Sequence, residues 1–128
     1  MPRHTIPQTH DPMVIQAIIQ VGRSRRLIDD QIVVALAVGL VESNLNNLSW
    51  GDGSSVGWRQ EVARYYGSVE NRMDVNASVN RFYSELLRTP RRNRTLGLWG
   101  QAVQRSAHPE RYDQHIGEAR RILSENNH

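Results

Sequence analysis

The sequence has no cysteine and no lysine among its 128 residues. Without cysteine, the chain cannot form a disulfide, bind zinc or an iron–sulfur cluster through thiolates, or use a thiol nucleophile. Without lysine, it cannot form a Schiff base or supply the lysine of a phosphate-binding P-loop. No segment contains the run of about eighteen apolar residues that a membrane helix needs. The polar N-terminus, residues 1–11, also lacks the apolar core of a signal peptide.

All sixteen basic residues are therefore arginine, against thirteen acidic ones, which gives a net charge of +3 and a pI near 9.9. Arginine keeps its proton to very high pH, so the pI is high although the net charge is small. Two explanations stay open: the codon bias of a GC-rich genome, or a surface suited to a polyanion such as nucleic acid or an acidic cell-wall polymer. The densest basic run, residues 88–94, is either a solvated loop or a contact for anionic wall polymers and peptide carboxylates.

The spacing of apolar residues predicts an all-α domain. Asp11 followed by Pro12 is a typical helix start, and an apolar stripe continues from there to Gly22. A second helix should have its N-cap at Asp29 or Asp30 and continue through a stretch that is apolar on nearly every face, which marks a buried central helix. The other predicted helices are a short one at 61–66, one from an N-cap at Asn76 to just before Pro90, one around 98–103, and one from His108–Pro109 to about 123.

Glu42 ends the apolar stretch of the central helix. Apolar neighbours and the negative end of the helix dipole both disfavour an ionised carboxylate at this position. They favour the protonated carboxyl that a general acid needs near neutral pH. The alternative is a helix-terminal glutamate that turns to solvent.

A glycine-rich turn, residues 51–55, follows within ten residues and supplies a second carboxylate, Asp52. Gly57 lies just beyond it, where a glycine would let a ligand approach the backbone closely. Trp50 and Trp58 flank the turn, and an exposed indole face is a common platform for a sugar ring. Each feature also has an ordinary structural explanation, since Asp-Gly is a frequent turn and tryptophan is usually buried.

Four segments carry a resemblance to a known superfamily: ESNLN at 42–46, GDGSSVGWRQ at 51–60, RFY at 81–83 and AVQRSAHPERY at 102–112. Together they resemble the lysozyme-like superfamily of goose-type lysozymes and soluble lytic transglycosylases. The resemblance is strongest to muramidase domains of phage tail proteins and endolysins, and it extends over roughly residues 28–122. Two departures are Trp58–Arg59, where the family has two apolar residues, and Val103–Gln104, near the place of an absent Ala-Tyr-Asn-Ala-Gly signature.

The resemblance implies that Glu42 is the catalytic acid, that Ser55, Gly57 and Gln60 shape the floor of a glycan groove, and that Tyr112 borders it. Trp58 departs from the family pattern and is a candidate substrate contact through its indole face. It implies cleavage of peptidoglycan between N-acetylmuramic acid and N-acetylglucosamine. A hydrolase would admit water, with Asp52 as candidate base or electrostatic stabiliser. A transglycosylase would let the sugar's own 6-hydroxyl attack and give a 1,6-anhydro product.

We accordingly expect residues 1–128 to form one lysozyme-like catalytic domain, with 1–11 as a polar extension. The five histidines lack metal-ligand spacing, so we expect neither metal nor cofactor. We expect a monomer that acts on the bacterial cell wall, either virion-associated within a larger phage tail protein or delivered with the help of a holin. We expect no membrane insertion and no nucleic-acid partner, although an arginine-rich nucleic-acid-binding module is the alternative function.

Overall fold

The computed structural model describes residues 4–106 and 110–126, and the described chain is all-α. Its helices are α1 (Pro12–Ser24), α2 (Asp29–Ser43), α3 (Ala63–Tyr66), α4 (Val69–Met73), α5 (Val75–Leu87), α6 (Leu96–Gln104), α7 (Glu110–Gln114) and α8 (Ile116–Glu125). Within the described ranges the β structure consists of one antiparallel bridge, between Val56 and Glu61. The predicted all-α class is confirmed, and the described residues contain eight helices where the sequence predicted five or six.

Helix α1 begins as predicted, because the Asp11 carboxylate accepts a hydrogen bond from the Met13 amide at 2.9 Å and Pro12 needs no amide partner at the first position. Helix α2 begins slightly earlier than predicted, because its N-cap is Ile28 rather than Asp29 or Asp30. The Gln31 side chain accepts from the Ile28 amide at 3.0 Å. Asp29 and Asp30 instead lie in the first turn, where their negative charges interact favourably with the positive end of the helix dipole.

Helix α2 is the centre of the core. Nine consecutive residues, Ile32 to Leu40, are buried on it, and α1, α5, α6, α7 and α8 all pack against it. Each fully buried valine, leucine or isoleucine contributes about 1.5–3 kcal/mol of transfer free energy, so this helix supplies much of the hydrophobic stabilisation. The prediction of a buried central helix that ends near Glu42 is confirmed.

Several helix boundaries differ from the prediction. A short helix, α4, precedes α5, and the cap of α5 is Asp74, which accepts from the Ala77 amide at 3.1 Å, rather than Asn76. The last predicted helix is broken at His115 into α7 and α8. Its predicted start, His108–Pro109, lies outside the described residues.

The segment after α2 holds the N-terminal residues against the domain. Asn44 ends the helix in a left-handed conformation with φ of 52°, and its amide nitrogen donates to the Pro7 carbonyl at 2.9 Å. Asn46 donates to the Thr9 carbonyl, also at 2.9 Å. The polar residues ahead of α1 that the structure describes are thus attached to the loop that follows Glu42.

No helix in the described parts of the chain combines the length and the apolar character needed to cross a membrane.

Candidate active site

Glu42 lies in the last turn of α2 and is partly exposed. Its Oε2 atom accepts two hydrogen bonds, from the Tyr112 hydroxyl at 2.5 Å and from the Gln104 amide nitrogen at 3.2 Å. No described residue donates to Oε1. One oxygen of the carboxyl is therefore held in place, while the other is available to a ligand.

Tyr112 reaches Glu42 from α7 and is fully buried. Burial raises the pKa of Tyr112 above its ordinary value, and the charge of Glu42 and the hydrogen bond to it raise that pKa further. The phenol therefore stays protonated and acts as a hydrogen-bond donor to the carboxyl. The resemblance implies that Tyr112 borders the groove, and the structure shows that its hydroxyl is in direct contact with Glu42.

Gln104, the last residue of α6, connects three parts of the site. Its amide nitrogen donates to Glu42 Oε2 and, at 2.9 Å, to the backbone carbonyl of Arg59. It therefore links the end of α2 to the segment that carries the Val56–Glu61 bridge. The only sequence signal for Gln104 was its position near the missing family signature, which did not define a role.

Ser43, next to Glu42, is a second residue whose role the sequence did not predict. Its hydroxyl is buried and donates to the Trp58 carbonyl at 2.7 Å, and it accepts from the Asn46 amide at 3.1 Å. These bonds attach the segment around Trp58 to the end of α2. The two neighbouring residues thus have different roles: Glu42 belongs to the candidate site, and Ser43 fixes the backbone segment that packs next to it.

Gln60 has a supporting role in the predicted groove. Its amide nitrogen donates to the Gly57 carbonyl at 3.0 Å and to the Trp50 carbonyl at 3.3 Å. Its backbone is left-handed, with φ of 61°. These bonds connect two parts of the turn-rich segment between α2 and α3 and so stabilise its conformation.

A glycine is required at position 57 by the local backbone conformation and by a neighbouring backbone segment, not by an approaching ligand. Its φ is +93°, and a Cβ at this position would lie 2.8 Å from the carbonyl oxygen of Arg72 in α4. A residue with a side chain would be strained in both respects. The expectation that Gly57 leaves room for a ligand is therefore wrong, because the space is taken by backbone.

Trp58 is fully buried, with its ring edge-on to Phe82 at 5.6 Å between centroids. The prediction of an exposed indole platform for a sugar at Trp58 is therefore wrong, because the apolar ring belongs to the core. Trp50 is partly exposed and lies 4.9 Å from the His4 ring, centroid to centroid.

Asp52 is exposed on the 51–55 turn, and its side chain makes no hydrogen bond or ion pair with the described residues. The structure therefore does not join it to the hydrogen-bonded group of Glu42, Tyr112 and Gln104. Its role as a second carboxylate stays a prediction.

A cleft of about 640 Å³ adjoins this group. Gln104 and Gln60 line it, whereas Ser55, Gly57 and Trp58 do not. Glu42 does not line the cleft itself, but it accepts a hydrogen bond from Gln104, which does. The complete lining is Arg59, Gln60, Glu61, Val62, Tyr65, Tyr66, Glu85, Arg88, Thr89, Ala102, Val103, Gln104 and Arg105.

A buried ion-pair network forms the base of the cleft. Arg59, 2% exposed, bonds to Glu61 and Glu85, each at 2.8 Å. Arg81 bonds to Glu61 at 2.7 Å, and the Tyr66 hydroxyl donates to Glu85 at 2.9 Å. We name these five residues the Arg59 network. Sequence reasoning missed it, because its members come from three separate segments.

The charge of Arg59 is well compensated. Burial alone would lower the pKa of Arg59, but the hydrogen bond to Glu85 and the negative charges of Glu85 and Glu61 outweigh it and raise that pKa. The guanidinium also lies 4.8 Å from the centre of the Tyr66 ring. The carbonyl of this fixed residue is the one that accepts from Gln104, so the network supports the position of Gln104.

Across the described residues, no three histidine, cysteine, aspartate or glutamate side chains are grouped so that they could bind a metal ion.

Comparison with known protein families and with curated proteins finds no match to this chain.

Proposed function

We propose that this protein has a lysozyme-like fold and cleaves the glycan strands of peptidoglycan, with Glu42 as the proton donor. The observation that carries the proposal is the position of the Glu42 carboxyl and the hydrogen bonds to it. It stands at the end of a buried helix, one of its oxygens is held by Tyr112 and Gln104, and the other has no partner in the described chain.

The chemistry begins with a protonated Glu42 that gives its proton to the oxygen between N-acetylmuramic acid and N-acetylglucosamine. The bond from the anomeric carbon to that oxygen breaks, and the sugar takes on oxocarbenium character. The ionised Glu42 then accepts a proton from the nucleophile that attacks the anomeric carbon. Tyr112 and Gln104 stabilise this ionised form, because both donate to its Oε2 atom.

The nucleophile is either water or the sugar's own 6-hydroxyl. Both glutamates that line the cleft, Glu61 and Glu85, already bond to Arg59, so neither is a free second base. This favours the intramolecular route to a 1,6-anhydro product. Asp52 is the carboxylate that a hydrolase would use.

The nucleic-acid-binding alternative has less support. Several surface arginines are paired with acids, such as Arg23 with Asp29 at 2.7 Å and Arg120 with Asp30 at 3.1 Å. A nucleic-acid surface instead needs a continuous face of unpaired cations.

The proposal is tested by digesting purified sacculi and analysing the released muropeptides by mass spectrometry. We expect the wild type to release products and Glu42→Gln to release none, because glutamine keeps the shape but has no acidic proton. Glu125→Gln, on the outer helix α8, is the matched control and should behave as the wild type. Anhydro products are one water lighter than hydrolysed ones, so the same spectra separate the two routes. Equal release by wild type and Glu42→Gln would refute the proposal.

A further inference from the structure

Two arginines of the cleft have no partner in the described chain. Arg88 follows α5 and Arg105 follows α6, and both are exposed and line the cleft. Neither guanidinium forms an ion pair or a hydrogen bond with a described residue. Their donors are therefore directed at solvent or at a ligand.

The other charges of the cleft are already neutralised. Glu61 bonds to Arg59 and Arg81, and Glu85 bonds to Arg59. With these ion pairs complete, the uncompensated charge of the lining is the positive charge of Arg88 and Arg105. A cleft of this character favours an anionic ligand over a neutral one.

The ligand class follows from the shape of a guanidinium. Its planar set of N–H donors matches the two oxygens of a carboxylate or of a phosphate group. A cleft of about 640 Å³ is also within the range of small-molecule sites, so it has room for a sugar that carries a substituent.

We propose that Arg88 and Arg105 form a subsite for an oxyanion carried as a substituent on the glycan strand. This inference rests on the proposed function, and it adds that the protein selects anionic strands over neutral ones. Two sources present this chemistry in a cell wall: the carboxylates of the peptide stems and the phosphodiesters of attached wall polymers.

The test measures binding to sacculi by co-sedimentation in a Glu42→Gln background, in which the proposed acid is removed so that the sacculi stay intact. The cleft variant combines Arg88→Gln and Arg105→Gln. The control combines Arg26→Gln and Arg121→Gln, which remove the same charge from exposed arginines outside the cleft and outside the 88–94 run. We expect about tenfold weaker binding by the cleft variant, as two exposed ion pairs predict, and no more than about twofold for the control.

The source of the anion is identified by treating the sacculi. Amidation of the carboxylates neutralises the stems without removing them, and hydrofluoric acid removes the phosphodiester polymers. If only amidation abolishes the tenfold difference between wild-type cleft and cleft variant, the ligand is the stem carboxylate. If only the acid treatment abolishes it, the ligand is the phosphodiester. Either result supports the subsite.

Equal weakening by the cleft and control variants would overturn the inference, because it would show only a general charge effect. Binding that neither the cleft variant nor the control variant weakens, or no binding to sacculi at all, would also overturn the inference. These outcomes are separate from the proposed function, which depends on the products released by the protein with Glu42 intact.

Discussion

Replacement of Glu61 by glutamine would remove one buried charge from the Arg59 network and keep the size of the side chain. The Glu61 side chain is 1% exposed and bonds to Arg59 at 2.8 Å and to Arg81 at 2.7 Å. In the variant, Arg81 loses its carboxylate partner and Arg59 keeps only Glu85. The new amide group would also bring N–H donors toward the guanidinium donors.

The expected loss is large because Glu61 is buried and its removal leaves two arginines of the network, Arg59 and Arg81, with Glu85 as their one carboxylate. Removing one partner of a buried ion pair costs about 3–5 kcal/mol. A domain of ordinary stability has about 5–15 kcal/mol in total, so this variant should stay folded with a reduced margin. At a urea dependence of about 2 kcal/mol/M, a loss of about 4 kcal/mol lowers the unfolding midpoint by about 2 M.

The assay is urea unfolding followed by circular dichroism, with Glu125→Gln as the control. Glu125 is 65% exposed in its side chain and lies 3.5 Å from Arg121, so the loss of that pair should cost no more than about 0.5 kcal/mol. A midpoint for Glu61→Gln within about 0.3 M of this control would refute the reasoning, since it would show that the network contributes no more than a surface pair.

Three further predictions concern the site and the core. Tyr112→Phe removes the hydroxyl that donates to Glu42, so glycan cleavage measured by muropeptide release should slow at least about tenfold. Gly57→Ala places a Cβ 2.8 Å from a backbone oxygen, whereas Gly53→Ala meets no atom within 4 Å; both have positive φ. We therefore expect Gly57→Ala to lower the free energy of unfolding, measured in urea, by at least about 1 kcal/mol more than Gly53→Ala does. Burial raises the pKa of Tyr83 above its ordinary value of 10.0. The folded state therefore keeps this proton to higher pH than the unfolded state, so the contribution of Tyr83 to the free energy of unfolding is complete below about pH 10 and is lost as the pH rises above it. We expect the free energy of unfolding of Tyr83→Phe to fall less than that of the wild type between about pH 9 and about pH 11.5.

Each of these has a contradicting result. An unchanged cleavage rate in a folded Tyr112→Phe protein would show that the hydroxyl does not orient the Glu42 carboxyl. Equal urea midpoints for Gly57→Ala and Gly53→Ala would show that the nearby carbonyl gives way at no cost. An equal alkaline loss in wild type and Tyr83→Phe would show that this phenol does not contribute to the pH dependence.

The fold class and the two main helices were predictable because they depend on local patterns. The Asp11–Pro12 start and the apolar run of α2 are continuous in sequence, and the structure has both where they were predicted. The caps at Ile28 and Asp74 were not predicted, because several polar residues compete there and only the final backbone selects among them.

The candidate site was predictable only in part. Glu42 was identified by its place after an apolar helix, which is a local feature. The burial of Trp58 was not, because its segment has no periodic pattern that assigns a side to each residue. The Arg59 network was likewise invisible, since Arg59 and Glu85 are 26 residues apart and meet only through the packing of α5.

The sequence by itself determined that the chain is helical, that α2 is buried and that a carboxylate stands at its end, because apolar spacing and capping act over a few residues. Only the tertiary structure decided what surrounds that carboxylate. Tyr112 is 70 residues from Glu42 and Gln104 is 62 residues away, and the hydrogen bonds exist because α7 and α6 pack against α2. Such contacts depend on how whole helices bury their apolar faces together, which no local pattern specifies.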